Sequence, residues 1–397
     1  MKRFFALVLL FVLSLNSGMI VFATNDNKTE AEYYTLNKTD IDVDCNGALL
    51  MEAQTGEILF SHNENASASP ASVTKIMTLL LVMEAIESGS VNLDDEVCVS
   101  AYAAGMGGSQ VFLEEGERMS VEELIKCTVI ASGNDSAVAL AEHVAGSEDA
   151  FVRKMNEKAG KLGLKNTNFE NVTGLDDTTE NHVSSALDIA IMSRELLKHS
   201  VITKYSSLWQ DSIRNGEFTL TNTNRLVRFY DGCNGLKTGS TDKAGFCISA
   251  TAVRDGMQLI AVVMGAPTRD IRNGIAKKLL DHGFANYALY TEDGGEVEAV
   301  PVLSGKVDEI MLYSKPFSAL VNKSDIKKIS KLYDIPESIK APVKSGDILG
   351  SITYTVDGKL LGACELASNE NVEKITLFDL FGRMLGACVG LARKTDE

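Results

Sequence analysis

The stretch from Ile76 to Ile86 is apolar around almost the whole circumference of a helix, with Thr78 and Glu84 its only polar residues. A helix of that kind is buried on all sides, so the chain has to build further layers around it. With 397 residues and 45% hydrophobic composition, it has the material for a large core and for two folded domains. The stretch follows directly on Pro70-Ala71-Ser72-Val73-Thr74-Lys75, and proline is favoured near a helix start. Lys75 therefore stands where little solvent can reach it.

The strand signals are split between the two ends of the first domain. Ala48 to Met51 and Ile58 to Phe60, separated by Gln54-Thr55-Gly56-Glu57, predict one hairpin. Phe246 to Val253 and Leu259 to Met264 predict a second around Asp255-Gly256, a pair that supplies the positive φ a tight turn needs. Ile271, Ile275, Leu279, Leu280 and Phe284 then recur at helical spacing up to Tyr290. In between, Val121 to Ile130, Ser136 to Val144, Phe151 to Leu162 and Ser184 to Leu197 each read as amphipathic or core helices. Early and late strands around a helical middle predict an α+β domain over 41–290, with an antiparallel sheet flanked by helices and a helical subdomain. From 291 to 371 the texture becomes short alternating runs (Val297 to Val302, Val307 to Tyr313, Ile348 to Thr355) and takes in four of the six prolines. That segment predicts a small all-β domain.

The ends carry their own signals. Met1-Lys2-Arg3, an apolar run from Phe4 to Leu15 and the small-residue end Val21-Phe22-Ala23 predict a signal peptide over 1–23, cleaved after Ala23. Residues 24–40, polar and rich in Asn, Thr and Glu, predict a flexible leader. Without the two cations of the signal peptide, the formal net charge falls from −16 to −18. Nucleic acid is excluded as a natural partner, because duplex binding needs basic surface to displace counterions. The seven cysteines (Cys45, Cys98, Cys127, Cys233, Cys247, Cys364 and Cys388) form no C-x-x-C pair and no cluster at zinc spacing, so no structural metal is expected. The odd count leaves at least one thiol free in a monomer. The five histidines (His62, His143, His182, His199, His282) are scattered and lack H-E-x-x-H spacing, which assigns them surface or capping roles.

Three short groups bear chemistry. Ser72 and Lys75 are three residues apart at the head of the buried helix, so their side chains share a face and can exchange a proton. A serine hydroxyl is a poor nucleophile until a base takes its proton, and lysine is a base only when neutral. Its ordinary pKa of about 10.4 must then be lowered by burial or by a nearby cation. Ser132-Gly133-Asn134 falls in a break between two helices, and Lys237-Thr238-Gly239-Ser240 precedes the second hairpin and lies on a strand. Each group alone has an ordinary reading: a capping serine with a solvated lysine, a turn, an edge strand. Together, S-x-x-K, S-x-N and K-T-G in this order are the set that defines penicillin-recognising serine enzymes.

On these motifs the chain resembles the low-molecular-mass penicillin-binding proteins, the serine D-alanyl-D-alanine carboxypeptidases with a C-terminal β domain. The resemblance covers nearly the whole sequence and implies a β-lactamase/transpeptidase-like fold. Gly174-Leu175, Ser184-Ser185-Ala186, Asp188 and Asp242-Lys243-Ala244-Gly245 look like that family's surroundings. The resemblance implies that Ser72 accepts the acyl group, Lys75 is its base and Ser132 relays a proton to the leaving D-alanine. Asn134 would hold the peptide amide and Lys237 the terminal carboxylate, with Thr238 beside it. The N–H groups of Ser72 and Ser240 would form the oxyanion hole, where donors act on charge that appears in the transition state. Implied partners are stem peptides ending in D-Ala-D-Ala and β-lactams, with no cofactor, at the outer face of the cytoplasmic membrane or in the cell wall. Gly133 stands where the wider pattern allows Asp, which looks like the carboxypeptidase branch.

A class A β-lactamase would add a deacylating glutamate, but Glu170-Asn171 and Glu180-Asn181 lack the E-x-x-L-N arrangement. A penicillin sensor or wall-binding module without turnover would carry membrane helices and an output domain, and neither is legible here.

The last segment, 372–397, predicts an amphipathic helix that associates with a membrane surface. Leu377, Phe378, Phe381, Met384, Leu385, Cys388 and Ala392 follow i, i+3, i+4 spacing, with Thr376, Asp379, Arg383 and Gly390 on the other side. Asp379 and Arg383 interrupt the apolar stretch and disfavour spanning. The competing use of the same pattern is docking on the β domain.

Overall fold

The computed structural model describes residues 32–177 and 179–393. The signal peptide, the leader before Glu32, the tail beyond Arg393 and the side chains expected of Cys388 and Ala392 lie outside the described residues. The chain divides into two compact units. One comprises Leu36–Tyr290 with Leu320–Ile326, and the other, among the described residues, Thr291–Ala319 and 327–393 together with 32–35.

In the larger unit the elements run β1 (Gly47–Glu52), β2 (Ile58–His62), α1 (Lys75–Glu87), β3 (Glu96–Cys98), α2 (Ala101–Ala104), β4 (Arg118–Ser120), α3 (Val121–Lys126), α4 (Asn134–Ala145), α5 (Glu148–Leu162), α6 (Ala186–Leu197), α7 (Ser200–Ser206), β5 (Gln210–Ile213), β6 (Phe218–Thr221), α8 (Leu226–Phe229), β7 (Cys233–Thr241), β8 (Gly245–Arg254), β9 (Met257–Ala266) and α9 (Arg269–Asn286). Five strands form one antiparallel sheet in the order β2-β1-β9-β8-β7. The first hairpin is thus stitched to the second through β1 and β9, with Leu50 opposite Ala261.

Two apolar cores lie on opposite faces of this sheet. Leu49, Met51, Ile260, Val262 and Met264 join α1, α3, α4 and α6 on one side. Ala48, Leu50, Leu259, Ala261 and Val263 meet Ile275, Leu279, Leu280 and Phe284 of α9 on the other. Burial on both faces explains why these strands read as continuous apolar runs rather than as alternation. The Asp255-Gly256 turn has positive φ at both residues, 49° and 77°, the geometry that matches strand twist in a two-residue hairpin. In α1, nine side chains from Lys75 to Ala85 are buried, and Glu84 pairs with Lys158 of α5.

Three details differ from the sequence reading. The helix expected to reach Tyr290 ends at Asn286, and Tyr287 begins a strand, β10 (Tyr287–Glu292). Beyond Lys126, the helix expected up to Ile130 widens into a π-turn, Cys127–Ala131. The later part of the leader is not loose. Leu36 packs on the α9-side core, Tyr287 Oη donates to Asn37 O at 2.6 Å, and Asn37 N donates to Asn322 Oδ1. Its few apolar residues decide this, and they are hidden by the polar average.

The remaining elements are β11 (Gly295–Leu303), β12 (Glu309–Ser314), β13 (Phe317–Asn322), β14 (Ile329–Asp334), β15 (Ile339–Lys340), β16 (Ile348–Val356), β17 (Lys359–Ser368) and α10 (Leu377–Arg393). In the smaller unit a six-stranded sheet has the order β14-β16-β17-β12-β11-β15. Tyr354 on β16 stacks flat on Phe317, ring centroids 3.9 Å apart, and Leu366 and Leu312 are fully buried. Helix α10 starts at Leu377 rather than at Val372, because Val372 is 3% exposed and pairs its backbone with Val343. The Thr376 hydroxyl and the Asp379 carboxylate cap its first turn reciprocally. Arg383 bonds Asp308 and Lys306 O of this unit, while Leu377, Phe378, Phe381, Met384 and Leu385 are 52 to 90% exposed. No described helix is long and apolar enough to cross a membrane.

Candidate active site

Ser72 sits in a 3₁₀ turn, Ala71–Thr74, that runs into α1 at Lys75. At three residues per turn, side chains at i and i+3 eclipse, so the tight turn stacks Lys75 on Ser72 more directly than an α-helical turn would. Lys75 Nζ lies 2.9 Å from Ser72 Oγ, 2.6 Å from Asn134 Oδ1 and 2.8 Å from Thr173 O, and the residue is 0% exposed. Two of the three partners are obligate acceptors. A neutral amine has two N–H groups and one lone pair, so the donors go to Asn134 and Thr173 and the lone pair faces the serine hydroxyl.

Ser132 follows the π-turn and has left-handed backbone angles (φ 65°, ψ 27°), which aim it out of the helical line; π-turns are frequent at functional sites. Asn134 opens α4. Its Nδ2 donates to Gly107 O at 2.7 Å, which fixes the amide so that Oδ1 faces Lys75. The sequence reading of a turn between two helices is correct, but the turn is buried: Ser132 is 3% and Asn134 2% exposed.

The third group lies on β7, at the sheet edge beside the Ser72 turn. Lys237 is 1% exposed, not solvated, and its Nζ donates to Ser132 Oγ (2.8 Å) and to Thr238 O (2.9 Å). Thr238 Oγ1 donates to Thr223 Oγ1 at 2.8 Å, and Ser240 is exposed at the outer end of the row. Gly239 is a glycine for a steric reason. A Cβ there would lie 2.8 Å from Ser72 N, 2.9 Å from Val73 N and 3.0 Å from Pro70 O, all backbone atoms. The structure brings all eight sequence-predicted residues, Ser72, Lys75, Ser132, Asn134, Lys237, Thr238, Gly239 and Ser240, to one end of the sheet.

Burial is the main cause that drives the Lys75 pKa well below its ordinary value, and the charge of Lys237 adds to it, with Asp135 opposing. Lys237 is itself pushed down to about 7, first by burial and then by Arg272. Two buried lysines near one serine titrate as a coupled pair. Repulsion keeps the more depressed one, Lys75, neutral when Lys237 carries the proton.

Other contributors have no motif of their own: Asp135, Arg272 and Asp176 were not singled out from sequence, and Gly174 was singled out only as part of the family's surroundings. Asp135, 1% exposed, accepts Val111 N and Leu113 N and so fixes the loop that carries Gly107. Arg272, 3% exposed, donates to Cys247 O. Gly174 leans on the Ser72 turn so closely that a Cβ would fall 1.8 Å from Ala71 O, and this contact sets the Thr173 carbonyl against Lys75. Asp176 accepts both Ser69 Oγ (2.8 Å) and Thr241 Oγ1 (2.5 Å). His182 corrects the expectation of a surface or capping histidine. It is 0% exposed, accepts Glu170 N at Nδ1 and bonds Thr74 Oγ1 at 2.8 Å through Nε2. Burial pushes its pKa down to about 4, so it is neutral and ties the residue before Lys75 to the 170–174 loop. No spacing pattern announces such a bridge. Glu170 and Glu180, the two glutamates weighed for a deacylating role, are both exposed, and Glu170 Oε2 accepts Asn181 N. The six described thiols, Cys45, Cys98, Cys127, Cys233, Cys247 and Cys364, are free.

Comparison with known proteins agrees with this geometry. Residues 33–268 match the family described as D-alanyl-D-alanine carboxypeptidase, and residues 286–374 match the C-terminal domain of penicillin-binding protein 5. The chain is 42% identical to the D-alanyl-D-alanine carboxypeptidase DacF of Bacillus subtilis, over 97% of this chain and 98% of that protein. The crystal structure of penicillin-binding protein 5 from Haemophilus influenzae superposes with a TM-score of 0.74 at 31% identity, covering 85% of this chain and all of that one. Penicillin-binding protein D2 of Listeria monocytogenes in its ampicillin-bound form is 30% identical, with a TM-score of 0.55, over 62% of this chain and all of that one. A serine and a lysine in contact at the head of a buried helix, a second serine–lysine pair beside them and a match over most of the length lead to one conclusion: the chain belongs to the serine-type D-alanyl-D-alanine carboxypeptidases, a family of penicillin-binding, peptidoglycan-acting hydrolases.

Proposed function

We propose that Ser72 is the acyl-accepting nucleophile for the terminal D-Ala-D-Ala of peptidoglycan stem peptides, with Lys75 as its base. The observation that carries this reading is the 2.9 Å contact in which, among the described residues, the only partner of Lys75 able to give up a proton is the Ser72 hydroxyl. The Ser72 proton passes to Nζ as Oγ attacks the carbonyl carbon of the penultimate D-alanine, and the N–H groups of Ser72 and Ser240 take the oxyanion. The C–N bond then breaks. The leaving amine collects a proton through Ser132, whose hydroxyl accepts from Lys237 and can pass a proton on. Water hydrolyses the resulting ester and restores Ser72. Asn134 holds the substrate amide through its second Nδ2 hydrogen, while Thr238 and Ser240 meet the terminal carboxylate. Lys237, whose Nζ lies 2.8 Å from Ser132 Oγ, meets the same carboxylate with its charge.

Penicillins acylate the same serine, and the ampicillin-bound relative supports this. Action on the cell wall fits export through a signal peptide over 1–23. The catalytic domain is then 41–290, the β domain 291–371, and α10 associates with the outer face of the cytoplasmic membrane. The exposed row from Leu377 to Leu385 supports that last reading, because the polar side of the helix already meets the β domain through Arg383. Release of D-alanine from a soluble peptide ending in D-Ala-D-Ala, together with labelling by a fluorescent penicillin, tests the assignment. Ser72→Ala should abolish both while the protein melts normally. Labelling that survives in this variant refutes it.

A further inference from the structure

Between α2 and β4 the chain forms a loop, 105–117, without regular structure of its own. This loop orients Asn134 from above: Gly107 O accepts Asn134 Nδ2 and Ser109 O accepts Asn134 N, both at 2.7 Å. At Gly108 a Cβ would stand 2.7 Å from Nδ2, so the backbone here lies directly against the amide. An amide can present either end, and the Gly107 carbonyl selects the end that reaches the cleft. The orientation of Asn134 is therefore only as firm as the loop.

From inside, the loop is held by Asp135, whose Oδ2 accepts Val111 N and Leu113 N. From outside, one side chain holds it. Arg214 lies past the end of β5, in the tip that joins β5 to β6, with φ 53°. Its guanidinium donates to Val111 O (3.0 Å) and Phe112 O (3.1 Å) and grips Glu117 through both carboxylate oxygens (2.7 and 3.0 Å). It also stacks over Phe218, 5.3 Å from the centroid, and Phe218 packs edge-on to Phe112. The pKa values of Glu117 and Arg214 move apart, lowered and raised, with this hydrogen bond the first cause of both. At its other end the same hairpin runs through Asn222 to Thr223, where Thr223 N donates to Ile130 O, just before Ser132, and Thr223 Oγ1 accepts Thr238 Oγ1. The hairpin thus touches the π-turn before Ser132 and the third motif with its base, and the roof over Asn134 with its tip.

We infer that Arg214 is a positioning residue for this reaction: by clamping the 105–117 loop to the β5–β6 hairpin, it fixes the Asn134 amide that recognises the acylated amine of substrate and penicillin. The inference rests on the proposed role of Asn134. Arginine is needed because its planar fork serves two carbonyls and a carboxylate at once, whereas lysine offers one compact charge. Loss of the clamp weakens recognition of the amide, while the 2.9 Å Ser72–Lys75 contact itself involves no residue of the loop.

The test compares acylation by benzylpenicillin, which carries a side-chain amide, with acylation by 6-aminopenicillanic acid, which has a free amine there. Asn134→Ala is the reference and should lower the ratio of the two rates roughly tenfold, the scale of about one hydrogen bond to the amide. Arg214→Gln should reproduce most of that drop, Arg214→Lys and Glu117→Gln a smaller part, and Arg214→Gln should add nothing to the ratio in the Asn134→Ala background. A general structural effect would slow both compounds alike and leave the ratio unchanged. If folded Arg214 and Glu117 variants keep the wild-type ratio while Asn134→Ala changes it, the inference is overturned on its own. If Asn134→Ala leaves the ratio unchanged, the role of Asn134 falls and takes the inference with it.

Discussion

Replacing Gly239 by alanine adds one methyl group at the seam between β7 and the turn that carries Ser72. The new Cβ would stand 2.8 Å from Ser72 N and 2.9 Å from Val73 N, against about 3.4 Å for ordinary contact, so one backbone must move by roughly 0.6 Å. Neither side yields easily. The turn is pinned by Gly174 on Ala71 O and continues into a fully buried helix, and β7 is paired along its length with β8. Overpacking of a well-filled site costs about 1 to 3 kcal/mol, which would lower the melting temperature by several degrees. The effect on rate should be larger than the loss of folded protein explains, because the displaced atoms include Ser72 N and lie one residue from Ser240. A misplacement near 1 Å can cost about a hundredfold, and a shift of half that size should cost on the order of tenfold in kcat. Gly256→Ala is the control: its φ of 77° is unfavourable for a side chain, but nothing lies within 4 Å of the added Cβ, so it should lose stability and keep kcat. The assay is D-alanine release, with penicillin acylation followed in parallel and melting curves for all three proteins. If Gly239→Ala melts like the parent and turns over at the parental rate, β7 is not packed tightly on the Ser72 turn.

His182 has a folded pKa near 4 against 6.5 for an ordinary histidine, so the unfolded chain binds the extra proton and stability falls as pH drops from 6.5 to 4, by roughly 3 kcal/mol in all. His182→Gln should flatten that part of the stability-against-pH curve relative to the parent; parallel denaturation curves across the window would refute it. A chain ending at Thr376 should stop binding liposomes and keep full activity on a soluble peptide, provided Val372 and its pairing with Val343 are retained. A full-length protein that fails to bind liposomes, or a truncated one that still binds, refutes the membrane role of α10.

How much was legible in the sequence depends on the range of the interaction. The hairpins, the buried helix at Ile76 and the three motif groups are local patterns, set by turn chemistry and by which residues repeat at which period, and they stood in the sequence in full. The pairing of β1 with β9 was constrained as well, since two hairpins with apolar strands had to share a sheet. What the sequence could not contain is the closure of the site. Gly239 against Ser72, Gly174 against Ala71, His182 against Thr74, and Arg214 over the 105–117 loop join residues 97 to 167 positions apart, across loops with no period of their own. Each depends on distances that exist only after the sheet has closed. The lysines show the division most clearly. Spacing places Lys75 three residues from Ser72, but only the packed structure removes its water, brings Lys237 beside it and turns two acceptors toward it, and those three facts make a lysine a base.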